Sequence, residues 1–124
     1  MEFKIDTKPT YTVITPETGA LSANLAEEIR QKIAELTITG SHNFIVNLHN
    51  CSDMEIAAGN QLIELHQSLY NQDSSLVFTE VPECVLQTMK QQQFHLSLNL
   101  TPSMQEAVDI ISMEVLERDL FKEL

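Results

Sequence analysis

The sequence DMEIAAG contains two carboxylates, Asp53 and Glu55, followed by three residues with almost no side chain, Ala57, Ala58 and Gly59. Such a carboxylate pair could act as general acid and general base. An acidic chain offers such pairs by chance, however, and acids at the start of a helix commonly stabilise its positive end, by about 0.3–1 kcal/mol. We therefore interpret both acids as helix-terminal residues. The small residues either let the helix pack tightly on a sheet or let another backbone approach the free N–H groups of its first turn.

The remaining reactive side chains form no recognisable catalytic or metal site. Cys51 and His49 are close in sequence, but a zinc site usually takes its ligands from two such pairs, and no second Cys-x-x-Cys or His-x-x-x-His pair is present. The three glycines are scattered, so a phosphate-binding loop is missing, as are nucleophile-elbow and zinc-protease motifs. His66 falls beside an apolar helix stripe, where a packed or surface histidine is expected. The sequence therefore predicts a protein that is not an enzyme and that needs no cofactor and no metal.

The chain carries no recognisable targeting signal. Its start, MEFKIDTK, lacks the basic-then-apolar pattern of a secretory signal, and no stretch approaches the roughly 20 apolar residues that span a bilayer. We therefore expect a cytoplasmic protein, in which Cys51 and Cys84 are reduced thiols rather than a disulfide. A length of 124 residues suits one domain with a single continuous core.

The charge is strongly negative, at −11, and unevenly distributed. No lysine or arginine occurs between Ile33 and Met89. The acids inside this interval are Glu35, Asp53, Glu55, Glu64, Asp73, Glu80 and Glu83. Nucleic-acid binding depends on Lys and Arg, which displace counterions from phosphates, and anionic lipid would also be repelled. The sequence thus predicts neither nucleic acid nor membrane as a partner and favours a protein with a basic patch, although acidity that merely maintains solubility is equally compatible with it.

Five segments have the pattern of β-strands. FKID and YTVIT, joined by the proline-containing turn TKPT, predict an opening hairpin. FIVNL at residues 44–48 is nearly continuously apolar, as in a central strand covered on both faces, and LVF at residues 76–78 predicts a short buried strand. FHLSL alternates between apolar and polar residues and predicts the last strand.

Four helices are predicted between and after these strands. Asn24 and Glu27 have the spacing of a capping box for the first helix, and the second begins near residue 56. Thr101 and Pro102 are expected as N-cap and first residue of the fourth. The apolar residues predicted to face the sheet from this last helix are Met104, Val108, Ile111 and Val115, continuing to Leu120. The residues predicted in the core are Val46, Leu48, Leu62, Leu65, Val77, Val108 and Ile111.

The order of elements is therefore β-β-α-β-α-β-α-β-α. Strands that alternate with helices after an opening hairpin predict one α/β domain, with a mixed, mostly parallel sheet and helices packed on it.

Order and motifs together resemble the STAS domain, and in particular the single-domain bacterial anti-sigma-factor antagonists. GALSANLAEEIRQKI is similar to the family's entry into its first helix, and NFIVNLHNCSDMEIAAGNQLIELHQSL to its central strand, switch loop and second helix. LVFTEVPECVLQTMKQQQFHLSLNL and TPSMQEAVDII are similar to the elements that close the domain. The resemblance covers residues 1–112 as a STAS-like domain and leaves residues 113–124 as an extension of the last helix.

The resemblance implies a transcription regulator that binds a protein partner. In that family a serine at the start of the second helix is phosphorylated by the partner, an anti-sigma factor with a kinase-like fold, and the phosphate breaks the contact. The partner-binding residues carried over to the switch-loop equivalent of this chain are Ser22, Asp53, Glu55, Ile56, Ala57, Ala58 and Gly59.

This chain departs from the family at the switch itself. Ala57 stands at the phosphorylated serine and has no hydroxyl, and Ser22 stands where the family usually has an aspartate facing the loop. In an alternative register Ser52 is the N-cap of the second helix and Glu55 completes a capping box, which makes Ser52 a candidate for a displaced phosphorylation site. Because Ala57 removes the switch, we expect either that docking persists without regulation or that the partner is a different one. Glu55 would in either case be a fixed charge beside the contact.

Two functions are compatible with these observations. The first is a non-enzymatic regulatory STAS protein that binds a partner and is not switched by phosphorylation at the usual site. The alternative is a STAS module that senses a nucleotide or another small molecule at the same end of the sheet, although this end has few basic residues to hold phosphate. A homodimer is compatible with the sequence.

Overall fold

A five-stranded mixed sheet forms the centre of the molecule, and the computed structural model describes residues 3–123. In spatial order the strands are β1 (Phe3–Thr7), β2 (Thr12–Pro16), β4 (Asn43–Asn47), β6 (Ser75–Thr79) and β7 (Leu100–Thr101). β1 is antiparallel to β2, and the other neighbours are parallel. Two further strands, β3 (Ala20–Leu21) and β5 (Asp53–Met54), form a separate parallel pair. The predicted α/β fold with a mixed, mostly parallel sheet is confirmed.

Helices cover both faces of this sheet. They are α1 (Ala23–Ile38), α2 (Ile56–Asn71), α3 (Glu83–Gln91) and α4 (Met104–Glu123), with a 3₁₀ turn at Phe94–Leu96. Successive residues of a strand point to opposite faces. Phe44 and Val46 accordingly join the core beneath α1, α2 and α3, whereas Ile45 joins the core beneath α4. This two-sided burial explains why the sequence of β4 is almost entirely apolar.

The predicted core residues are buried with one exception, Val108, which is only partly buried. The predicted sheet-facing side of α4 is also wrong at its end, because Leu120 is exposed. Leu120 lies five positions after Val115. At about 100° per residue, this rotates Leu120 roughly 140° away from the buried side. α4 runs without interruption through the predicted boundary between residues 112 and 113. Residues 1, 2 and 124 of the predicted segments lie outside the described residues.

The N-cap of α1 is Ser22, so the capping box predicted at Asn24 and Glu27 is wrong. The Ser22 hydroxyl oxygen accepts a hydrogen bond from the Leu25 N–H at 3.1 Å. Asn24 is therefore already the second residue of the helix, and Glu27 instead forms an ion pair with Arg30 one turn later.

The segment FHLSL is not a strand, and this prediction is wrong as well. Gln93 has a left-handed backbone (φ 61°), which turns the chain into the 3₁₀ helix. Phe94 and Leu98 then enter the core while Leu96 faces solvent, so the alternation in the sequence does not reflect a sheet.

The predicted start of α4 also shifts by two residues. Thr101 belongs to β7 and is buried, with its hydroxyl donating to the Thr79 hydroxyl oxygen at 3.0 Å. The capping role passes to Ser103, whose hydroxyl oxygen accepts from the Glu106 N–H at 3.3 Å. Pro102 therefore precedes the helix.

Candidate functional site

The switch-loop equivalent lies at the carboxyl edge of the sheet, where backbone hydrogen bonds hold it against the segment before α1. The Ser52 N–H donates to the Gly19 carbonyl at 2.6 Å, and the Glu55 N–H donates to the Leu21 carbonyl at 2.9 Å. Between them β5 pairs with β3. The path of the loop is thereby fixed on both sides of Asp53.

Glu55 joins the starts of two helices. Its backbone is the N-cap of α2, but its carboxylate does not cap that helix. Instead Oε1 accepts a hydrogen bond at 2.9 Å from the N–H of Ala23, the first residue of α1. With Ser22 on Leu25, two N–H groups of the first turn of α1 thus have side-chain acceptors. The carboxylate is held at the positive end of α1, next to Ser22, and the role of these residues in partner binding stays a prediction.

The alternative register, in which α2 would begin at Ser52, is wrong because α2 begins at Ile56. The Ser52 hydroxyl donates to the Gly19 carbonyl at 3.0 Å. The exposed Cys84 of α3 reaches the same segment, and its thiol donates to the Ser52 carbonyl. Ser52 is exposed, and its phosphorylation stays a prediction.

The first four residues of α2 divide into an exposed pair and a buried pair. Ile56 is 51% exposed and Ala57 is exposed, whereas Ala58 and Gly59 are buried. A Cβ atom on Gly59 would lie 2.1 Å from Cε2 of Phe94, so the glycine is required by the ring packed on it. The exposed residues Asp53, Glu55, Ile56 and Ala57 form what we call the loop surface. Ala58 and Gly59 support it from below and cannot contact a partner through side chains.

A second polar group at the same edge was not predicted from the sequence. The side-chain Oδ1 of Asn47 accepts from the His49 N–H at 3.0 Å and from His49 ring Nδ1 at 2.7 Å, and the side-chain Nδ2 of Asn47 donates to a Glu80 carboxylate oxygen at 2.6 Å. Glu80 has a left-handed backbone (φ 53°). Asn47 is the last residue of β4 and pairs with Thr79, the last residue of the parallel neighbour β6. Glu80 directly follows Thr79, so it lies beside Asn47. A polar residue at the end of each of two buried strands was the available signal.

The surroundings of Cys51 disfavour its thiolate form. Burial raises the pKa of the Cys51 thiol to about 11, with a smaller contribution from the Asp53 carboxylate. Cys51 is therefore a neutral thiol near pH 7. Within residues 3–123 no three His, Cys, Asp or Glu side chains are grouped so that they could hold a metal ion.

The structure also has a groove of about 570 Å³ between α1 and α2. Arg30 and Glu64 lie at its rim, and Ile33 and Leu65 are among the apolar residues that line it. Arg30 is engaged by Glu27, to which its Nε donates at 2.9 Å.

None of the described helices is long and apolar enough to cross a bilayer.

Replacing Glu55 by alanine is expected to lower the free energy of unfolding by about 1 kcal/mol, because the Ala23 N–H loses its acceptor at the positive end of α1. Glu55→Gln is expected to cost less, since the amide oxygen can still accept. Urea unfolding measures both. Glu64→Ala, which removes an exposed acid from the middle of α2, is the control, and an equal loss there would contradict the capping role.

Comparison with known proteins agrees with this architecture. No curated protein sequence matches the chain significantly. A candidate anti-sigma factor antagonist from Thermotoga maritima superimposes with a TM-score of 0.77 at 9% identity, covering 89% of this chain and 94% of that one. Moorella thermoacetica RsbS with a serine-to-glutamate substitution gives 0.71 at 16% identity, covering 95% and 99%. The anti-sigma factor antagonist SpoIIAA in its unphosphorylated form gives 0.68 at 17% identity, covering 90% and 96%.

These structural similarities show a shared fold. The sequence itself matches the family model of the STAS domain over residues 3–107, which is most of the chain. This chain belongs to the STAS domain family.

Proposed function

We propose that this STAS domain is a non-enzymatic regulator that binds a protein partner through the loop surface and is not switched by phosphorylation at residue 57. The observation that carries the proposal is the exposure of Ile56 and Ala57 in the first turn of α2. An apolar side chain beside a nearly bare helix start favours close approach of another protein, and Ala57 offers no hydroxyl to a kinase.

The hydrogen bonds that tie this surface to the segment before α1 support a docking role. The loop is tied to Gly19 and Leu21 by its backbone, and Glu55 is tied to Ala23 by its side chain. A surface that is ordered before binding loses less conformational entropy when the partner arrives. The geometry therefore suits recognition in a fixed shape.

Charge indicates the kind of partner. Asp53 and Glu55 are exposed at the loop surface, and no lysine or arginine lies between Ile33 and Met89 to balance them. A partner with a basic patch is electrostatically complementary. By resemblance to the antagonists, we propose an anti-sigma factor with a kinase-like fold as this partner, met in the cytoplasm. Glu55 is then a permanent negative charge that the partner must accommodate.

The alternative role as a nucleotide sensor has weaker support. The groove between α1 and α2 contains one arginine, Arg30, and a phosphate would have to displace Glu27 from it. Glu27 and Glu64 at the groove would also repel an anion.

The proposal is tested by capturing a partner on immobilised protein from a lysate of the source organism, followed by incubation of the purified complex with ATP. We expect capture of a protein with a basic surface and no phosphate on the wild type by intact mass. A Ser52→Ala variant identifies any phosphate placed at Ser52. Phosphate found on the wild type contradicts this expectation, and capture that survives Ala57→Glu contradicts docking through the loop surface.

A further inference from the structure

α4 is apolar on two opposite sides, and only one of them packs on the sheet. Ala107 and Ile111 are buried against the strands. On the outer side Met113 is 61%, Leu116 61% and Leu120 54% exposed. These last three residues form what we call the α4 stripe. Three large apolar side chains in solvent on consecutive turns of one helix face are unusual for a monomeric surface.

The orientation of the α4 stripe is fixed by contacts on the inner side of the helix. Arg118 donates from Nη1 to the Ser75 hydroxyl oxygen at 3.0 Å and from Nη2 to the Asn43 side-chain oxygen at 2.7 Å. The Ser75 hydroxyl in turn donates to the Glu114 carboxylate at 3.0 Å. These bonds hold the second half of α4 at the amino edge of the sheet. The helix therefore cannot rotate to bury the α4 stripe without breaking them.

The spacing of the α4 stripe is that of a helix-pairing seam. Met113, Leu116 and Leu120 are separated by three and then four residues, as are the core positions of a two-stranded coiled coil. The positions that flank such a seam are occupied by Glu117 and Asp119, and both are exposed acids. The seam is thus apolar in the middle and negative along both sides.

A second copy of this chain fits the seam poorly. In an antiparallel pair each Glu117 would face its counterpart, and so would each Asp119. In a parallel pair the facing positions supply no lysine or arginine. A net charge of −11 opposes self-association further.

We propose that the α4 stripe binds one helix of a partner protein, whose apolar stripe is flanked by lysine or arginine. Its apolar side chains would pack between Met113, Leu116 and Leu120, and its basic side chains would reach Glu117 and Asp119. The stripe lies on the face of the sheet opposite α2, so this site and the loop surface can be occupied together. The proposal does not depend on what binds the loop surface.

The probe is a fluorescein-labelled three-heptad peptide with leucine at the core positions and lysine at the flanking positions, titrated with the full chain and followed by anisotropy. We expect saturable binding that weakens as salt rises. Leu116→Ser and Leu120→Ser should each reduce affinity about tenfold or more, because a buried apolar contact is lost. A peptide with glutamate at the flanking positions should bind at least about tenfold more weakly than the lysine peptide.

Ile38→Ser is the matched control, because Ile38 is 87% exposed on α1 and lies outside the α4 stripe. It should leave the affinity unchanged, and thermal unfolding should show that all three serine variants remain folded. Failure of the lysine peptide to bind the wild type overturns the proposal, as does equal loss in Ile38→Ser. A wild-type dimer in sedimentation that dissociates on Leu116→Ser would also overturn it and make the stripe an interface between copies.

Discussion

Gly59→Ala is expected to lower the free energy of unfolding by about 1–3 kcal/mol, although alanine is the better helix former. Helix propensity alone would stabilise the variant by up to about 1 kcal/mol. The new Cβ, however, would lie 2.1 Å from Cε2 and 2.6 Å from Cζ of Phe94, and real Cβ atoms do not approach other atoms so closely. The ring is buried, so it cannot move aside without disturbing the core. The clash is therefore expected to outweigh the propensity gain.

A double-mutant cycle with Phe94→Ala separates these contributions. Phe94→Ala alone is expected to cost about 3–5 kcal/mol. Adding Gly59→Ala to it should cost nothing more and should regain part of the helix propensity, because the clashing ring is gone. Gly19→Ala is the control glycine, since a Cβ there would come no nearer than 3.4 Å to the Ser52 hydroxyl. Urea unfolding of all variants decides the matter, and additive losses in the cycle would contradict the contact.

Ala57→Glu is expected to weaken binding of the captured partner about 100-fold while leaving thermal stability unchanged. The substitution adds a charge and a longer side chain at Ala57, the exposed small residue of the loop surface. Unpaired or like charges brought together in an interface cost several kcal/mol. An acid in the first turn of α2 is compatible with the helix dipole, so folding should not suffer. Isothermal titration gives the affinity and calorimetric melting gives the stability.

Two variants bracket this measurement. Ala57→Ser adds only a hydroxyl and should bind about as the wild type does. Gln67→Glu adds the same charge to an exposed position of α2 about three turns away and should also leave the affinity unchanged. If Ala57→Glu is folded and binds the partner at full strength, the loop surface is not the docking site.

The fold was largely predictable because its strands and helices carry strong periodic patterns. The opening hairpin followed from its strand-like composition and its proline-containing turn, and the buried β4 followed from its nearly continuous apolar sequence. The wrong strand and the wrong helix starts fell where local backbone conformation and capping rather than burial decide the structure, whereas Val108 and Leu120 were wrong in burial itself. FHLSL alternates like a strand, but the left-handed backbone of Gln93 turns it into a 3₁₀ helix, and no pattern of apolar residues reports that angle.

The candidate site was predictable in position but not in its internal contacts. The motif placed Ser22 beside the loop, and the structure brings them together through Glu55 and Ala23. Which of the small residues face solvent could not be read from the sequence. Ala57 and Gly59 are both small residues, but Gly59 lies under Phe94, a residue 35 positions away in the sequence. A contact over that distance depends on tertiary packing, which a local pattern does not encode.

Within residues 3–123, α4 is the helix that covers the second face of the sheet, and this has a consequence during synthesis. Val13, Ile45 and Val77 leave the ribosome before Ile111, which packs against them. Val77 and Ile111 are 34 residues apart, so at about 5–20 residues per second that apolar face stays open for roughly 2–7 s on each nascent chain. Closure also awaits Arg118, whose contact with Asn43 spans 75 residues. Until α4 has emerged, the apolar side chains of this face are uncovered and can be bound by chaperones or by other nascent chains.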